Sequence, residues 1–140
     1  MNRSLLMMIL ILFTLISCRD TTDQLFLEEI KRADSIELRV ITDHDRPDAD
    51  KIHLLKGQDN IRILAAAING SSIDSVSCDP EGKMYFFRNG TVFRTVYYST
   101  RSNCRYFSFI ADGKTYYTRM REDVVIYIQK LAAQQHLPRN

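Results

Sequence analysis

The chain has 140 residues, 45% hydrophobic and 26% charged, with five glycines and three prolines; this fits one globular domain and excludes a disordered, collagen-like or multi-domain chain. Its 19 basic and 17 acidic side chains leave a net charge of +2, too near neutral to draw in a polyanion, so composition points to no nucleic-acid partner. The first four residues are polar and carry one cation, Arg3, and residues 5–16 follow as an uncharged run, LLMMILILFTLI. A helix of that length reaches about 18 Å, well short of the roughly 30 Å hydrocarbon core. The run therefore reads as the h-region of an export signal and not as a spanning helix.

The run closes on Leu15-Ile16-Ser17-Cys18, which resembles the lipobox of bacterial lipoproteins: an aliphatic residue, a tolerated one, a small one, then cysteine. The resemblance stops at Cys18; the rest of the chain is not covered. It implies diacylglycerol on the Cys18 thiol, cleavage before Cys18, and acylation of the new amino terminus, with palmitate among the chains. Each buried methylene contributes about 0.8 kcal/mol and one chain holds only marginally, so two or three make a stable anchor. The membrane is then the first partner, held through Cys18. Arg19 follows the cysteine, where an aspartate would favour inner-membrane retention in enterobacterial lipoproteins, so the expected location is the cell envelope, at the outer membrane. With Cys18 lipidated, Cys78 and Cys104 are the remaining cysteines and are expected to pair outside the cytoplasm, closing a loop that adds about 2–4 kcal/mol.

Residues 18–23 form a polar tether after the 1–17 signal, and 24–136 the single folded domain. Phe26, Ile30 and Ala33 recur at helical spacing, with Thr22 or Asp23 as a cap, predicting a helix over 23–33. Ile36, Leu38 and Val40 alternate with Glu37, Arg39 and Ile41 as a half-buried strand. Residues 43–51, DHDRPDADK, form a surface loop, and 52–55 a short strand. A helix follows in which Asp59 is the expected cap, Ile61, Leu64, Ala65 and Ile68 make the buried stripe, and Gly70 takes the left-handed position after the end. Strands are predicted over 73–78, 83–88, 91–99, 104–110 and 114–118. Asn89-Gly90 and Asp112-Gly113 supply type I′ turns and Pro80-Glu81-Gly82 a third turn, so the strands should pair in sequence order. A last helix over 121–134 carries Glu122 and Asp123 at its positive end and Val124, Val125, Ile128, Leu131 and Ala132 along one stripe. The fold class is α+β: two layers, an antiparallel meander of four to five strands packed against helices.

Chemistry-bearing motifs are sparse. Asp43, Asp45, Asp48 and Asp50 stand near His44 and His53, but Pro47 and Asp48 fall where an EF-hand needs an acidic or amide ligand and a glycine. No G-x-S-x-G, H-E-x-x-H, Walker A or G-x-G-x-x-G pattern occurs, so no catalytic residue, metal or cofactor is assigned. The third histidine, His136, falls in a tail expected to fray. Eleven of the fourteen aromatics lie between residues 85 and 117, and strand alternation sends them to both faces of the sheet. The Asn89-Gly90 turn sets Phe87 opposite Val92 and Phe86 opposite Phe93. Helices need only one face, so Tyr85, Arg94, Tyr98, Tyr106 and Tyr117 are expected on the other as a partner-binding set, with Phe86, Phe93 and Phe107 inside. Tyrosines that merely line a wet face as good β-formers are the alternative.

The resulting expectation is a membrane-tethered, non-enzymatic module that binds another envelope protein, as an inhibitor, an immunity protein or a complex subunit. The alternative is an envelope hydrolase or glycan-binding enzyme using the acidic and histidine residues of 43–53. Cys18→Ser is expected to leave an unacylated precursor. Metabolic labelling with a fatty-acid probe reads this, and equal labelling of mutant and parent would remove the anchor from the account.

Overall fold

The structure, a computed structural model, describes residues 21–42, 45, 46 and 50–133. In chain order the elements are α1 (Thr21–Ile30), β1 (Ser35–Val40), β2 (Lys51–Lys56), α2 (Gln58–Ile68), β3 (Ser72–Ile73), β4 (Gly82–Arg88), β5 (Thr91–Arg101), β6 (Cys104–Ala111), β7 (Lys114–Arg119) and α3 (Glu122–Ala133). The seven strands form one open sheet in the order β2-β1-β4-β5-β6-β7-β3, antiparallel throughout. The α+β class holds, with more strands than the four to five expected.

Strands β4 to β7 pair in sequence order, and both hairpin turns have the backbone that their residues predict, with positive φ at Asn89 (51°), Gly90 (76°), Asp112 (48°) and Gly113 (72°). The segment expected as the first strand of the meander does not pair with β4. It shrinks to β3, whose Ser72 and Ile73 pair with Thr118 and Tyr117 at the far edge. The place beside β4 goes to β1, which brings the fully buried Ile36 and Leu38 to the centre of the sheet. The 72–79 segment offers mainly serines and aspartates, which a central strand buried on one face would have to desolvate.

The three described helices join one apolar cluster on one face, formed by Ile36, Leu38, Met84, Phe86, Val96, Tyr98, Phe107 and Phe109 of the sheet with Ile30, Ile61, Leu64, Ile68, Val124 and Ile128 of the helices. Phe26 of α1 stacks on Phe109 with centroids 4.0 Å apart, and Tyr116 continues the stack at 5.6 Å. The Tyr127 hydroxyl donates to Asn60 Oδ1 at 2.7 Å and joins α3 to α2.

Helix ends differ from expectation: α1 runs over Thr21–Ile30 instead of the expected 23–33, with Thr22 and Asp23 inside it, and both ends of α2 depart as well. α2 is preceded by Gly57 at φ 98°, and Asp59 lies inside the first turn, where it pairs with Arg62. Gly70 is not among the residues with positive φ; a Cβ there would collide with the Arg119 carbonyl. The glycine is required by a close approach to β7 and not by a left-handed turn. The Thr118 hydroxyl completes that junction by donating to the Ile68 carbonyl at 2.7 Å, satisfying an acceptor at the end of α2.

A second close approach is at Gly82, where a Cβ would run into the Tyr98 ring and the Arg39 carbonyl. Gly82→Ala is expected to lower stability by about 1–3 kcal/mol through this overpacking, read as an earlier urea midpoint. A midpoint equal to the parent's would refute the steric account.

Candidate functional site

Register alone assigns the faces. Leu38 pairs with Met84, Met84 with Val96, and Val96 with Phe109 on the helix side. Between these, Arg39, Lys83, Tyr97, Ser108, Tyr117 and Ile73 form a continuous row across six strands on the opposite face. No described helix covers that face. Its row extends to Ile52 on β2, and the neighbouring row holds Leu54, Glu37, Tyr85 and Thr95. Ile52, Leu54, Val92, Tyr97 and Ile110 are exposed there, Tyr97 at 39% and Ile110 at 63% of their surface. These five are most of the large exposed apolar side chains among the described residues, gathered on one side.

The charges of this face are held in place. Arg39 lies 5.2 Å and Lys83 5.5 Å from the Tyr85 ring centroid, and Arg39 Nε donates to Glu37 at 2.6 Å. Tyr85 is thus a half-buried aromatic between two cations, beside the exposed Tyr97. A shallow hollow of about 320 Å³ lies where Val92, Thr95, Tyr97 and Ile110 meet.

At one end the face is closed. The segment between β3 and β4 passes over β6, and the Tyr106 hydroxyl donates to the Cys78 carbonyl at 3.0 Å. Cys78 and Cys104 come to disulfide distance, with Cα atoms 6.6 Å apart, so the pair ties this crossing segment to the first residue of β6. Glu81, which leads into β4, fastens the segment further. Its carboxylate accepts from the Thr100 amide at 2.7 Å, the Thr100 hydroxyl at 2.9 Å and Arg101 Nε at 3.3 Å. Burial raises the Glu81 carboxyl, but these donors outweigh it and hold it below the ordinary carboxylate value.

The expected partner-binding set divides. Tyr85 and Tyr117 lie half-buried on the open face. Tyr98 does not: it is 2% exposed, on the helix side, its hydroxyl reaching the Arg39 carbonyl at 3.3 Å and its phenol raised by burial. Arg94 also points to the helix side, where it pairs with Glu29 of α1. Tyr106 faces the open side by register but is 2% exposed beneath the crossing segment. A bulge explains Arg94 and Tyr98. The pairing shifts between Phe86 and Phe87, so Phe86 meets Arg94 instead of the expected Phe93, and Phe93 and Arg94 both turn toward the helices. Phe86 and Phe107 are buried as expected, and Phe93 is partly buried against the core. Tyr97 and Ile110, absent from the expected set, follow once Val96 and Phe109 are known to face inward.

The acidic loop contributes no assembled site to the described part of the molecule. Asp45 and Arg46 are exposed, Asp50 is half-buried, and His53 lies on the helix side of β2, opposite Leu38. Among the described residues no three His, Cys, Asp or Glu side chains are grouped to hold a metal ion. Cys18, Asp43, His44, Asp48 and His136 lie outside the described residues. No described helix is long and apolar enough to cross a membrane. No family model matches the chain, no curated protein is similar to it at a significant level, and no solved structure matches its fold at that level.

A carboxyl held low in the folded state adds stability above its unfolded value, here near 4.5, and loses it as pH falls through the folded value. Glu81→Gln is therefore expected to destabilise the protein at pH 7 and to flatten the acid limb of its stability curve below about pH 5. Urea unfolding at a series of pH values reads this, and parallel limbs for parent and variant would exclude Glu81 as the acid-sensitive tie.

Proposed function

We propose that the protein is a lipid-anchored bacterial envelope protein, at the outer membrane, whose open sheet face binds another envelope protein without catalysing a reaction. The observation that carries this reading is the concentration of exposed Ile52, Leu54, Val92, Tyr97 and Ile110 on the one sheet face that no described helix covers. Exposed apolar side chains gathered on one face and interleaved with polar and charged groups are a usual form of protein interface, and a half-buried tyrosine flanked by cations is a frequent anchor within one. The sequence at Cys18 supports the tether. An inhibitor, an immunity protein or a subunit of an envelope complex fits this description equally.

The test uses the full-length chain in its own envelope, with a photo-crosslinking residue at Tyr97 or Ile110 and, as a control, at the exposed Arg62 on α2. A single adduct from the two open-face positions and none from Arg62 is the expected result. With the captured partner purified, Tyr97→Ala and Ile110→Ala should each weaken binding by about 1–4 kcal/mol at unchanged melting temperature. Adducts of equal yield from all three positions, or none from any, would overturn the assignment.

A further inference from the structure

The two edges of the sheet are unequal. β3 has two residues, too short to offer a ladder, whereas β2 has six and ends the strand order with no described strand on its outer side. An edge strand presents backbone amides and carbonyls that pair with another extended chain, and natural sheets shield such edges by shortness, proline or charge. The middle of β2, Ile52-His53-Leu54-Leu55, has no such shield. Its charges are Lys51 and Lys56, at the two ends.

Several side chains along this edge lack a described counterpart. Ile52 and Leu54, on the open face, are 36% and 49% exposed. Lys56 shares that face by alternation, is exposed, and forms no ion pair among the described residues. Asp50, two residues before Ile52, falls on the same face. It is half-buried, and one of its carboxylate oxygens is shut off from solvent with no hydrogen-bond partner among the described residues. The edge thus carries an unmatched cation at one end and an unmatched carboxylate at the other, with two exposed aliphatic side chains between them.

That order is self-complementary. Two copies joined through β2 about a two-fold axis pair antiparallel, and side chains keep their faces only when the paired residues share parity. With His53 on the axis, Ile52 stands opposite Leu54 of the second copy and Asp50 opposite its Lys56, each combination occurring twice. On the helix side Lys51 comes beside Leu55, where its alkyl stem can lie along the leucine. Shifting the axis to Leu54 sets Ile52 against Lys56, and shifting it to Ile52 sets Asp50 against Leu54. Only the His53 register matches apolar with apolar and charge with opposite charge on the open face. The Asn60 side chain already holds the Lys56 carbonyl at 3.0 Å, so the shared ladder runs over residues 51–55.

We propose that two copies of the chain join their β2 strands antiparallel about an axis at His53, merging two seven-stranded sheets into one and forming two Asp50–Lys56 ion pairs across the junction. Both helix layers then lie on one side, and the open faces of the two copies become continuous.

Sedimentation of the full-length chain in detergent should show a concentration-dependent dimer. Leu54→Lys puts a charge opposite Ile52, and Lys56→Glu sets like charges beside Asp50. Each should raise the dimer dissociation constant about tenfold or more. Both positions are exposed, so circular dichroism of the two variants should match the parent. Single cysteines at 52, 53 and 54, compared with the parent under mild oxidation, read the register: His53→Cys should link two copies fastest, because the other two positions reach the axis only in the shifted registers. A monomer at every concentration, a dimer untouched by Leu54→Lys, or faster linking through Ile52→Cys or Leu54→Cys would each overturn the pairing. Tyr97 lies three strands from β2, so the test of a partner at the centre of the face succeeds or fails separately.

Discussion

One extra residue in β5 decides which side chains meet the helices. Up to Val92 the β4–β5 hairpin runs in the register set by its Asn89-Gly90 turn, and at Phe93 it slips by one. A slip of one residue moves every later side chain to the opposite face. Val96 and Tyr98 thereby turn inward, and because β6 and β7 pair onward from β5, Phe107, Phe109, Tyr116 and Thr118 turn inward with them. The alternative phase would bury Thr95 and Tyr97 and expose Val96. Contacts on the helix side stabilise the bulge: Arg94 pairs with Glu29, and Arg88 lies 4.3 Å from the Phe93 ring centroid while donating to the Glu29 and Arg32 carbonyls. The α1 helix is thus docked on the irregularity that sets the phase of the sheet, and Phe26 of the same helix stacks on a residue that this phase turns inward.

The sheet is otherwise assembled by long-range ties at its ends. β1 pairs with β4 across more than forty intervening residues, a contact with a large loop-closure cost that local hairpins do not carry. Glu81 and Gly82 make that junction possible in two ways. The Glu81 amide and carbonyl link Tyr98 to Ile41, and the missing side chain at Gly82 lets the Tyr98 ring lie against the Arg39 backbone. At the other edge, Thr118 and Gly70 allow the end of α2 to pass directly into the strand that pairs with β7. Polar groups at both corners are satisfied by partners distant in sequence, which specifies the arrangement more tightly than apolar contact alone.

These corners mark the limit of what the chain discloses before folding. The two hairpins are legible because Asn-Gly and Asp-Gly tolerate a backbone that other residue pairs resist, and α2 and α3 because their apolar stripes repeat at 3.6 residues. The strand order is not legible, since β1 beside β4 and β3 beside β7 depend on which segment best tolerates burial. The role of Gly70 is hidden for the same reason: a close approach to Arg119 leaves no local signature, whereas a glycine after a helix has a familiar one. The bulge has no turn residue or glycine to announce it, and it reverses the positions of Arg94 and Tyr98. Tyr106 is a separate case, because its face follows from alternation but its burial comes from a segment that crosses over it. Of the five residues expected on the open face, Tyr85 and Tyr117 are there because β4 precedes the bulge and β7 inherits the phase set by β5.

The disulfide-distance pair stands where the open face ends. The segment carrying Cys78 covers Tyr106 and so ends the open face on that side. A protein ligand on the open face, as proposed, would not need to bind tightly by itself. If both partners are held at one membrane, association becomes a two-dimensional encounter at high effective concentration, and a modest apolar surface is then sufficient. A small exposed patch built on a rigid sheet, with its flanking cations already fixed against Tyr85, loses little side-chain freedom on binding. In the proposed reading, tethering and preorganisation would act in the same direction, which would let a domain with few exposed apolar residues hold a specific partner.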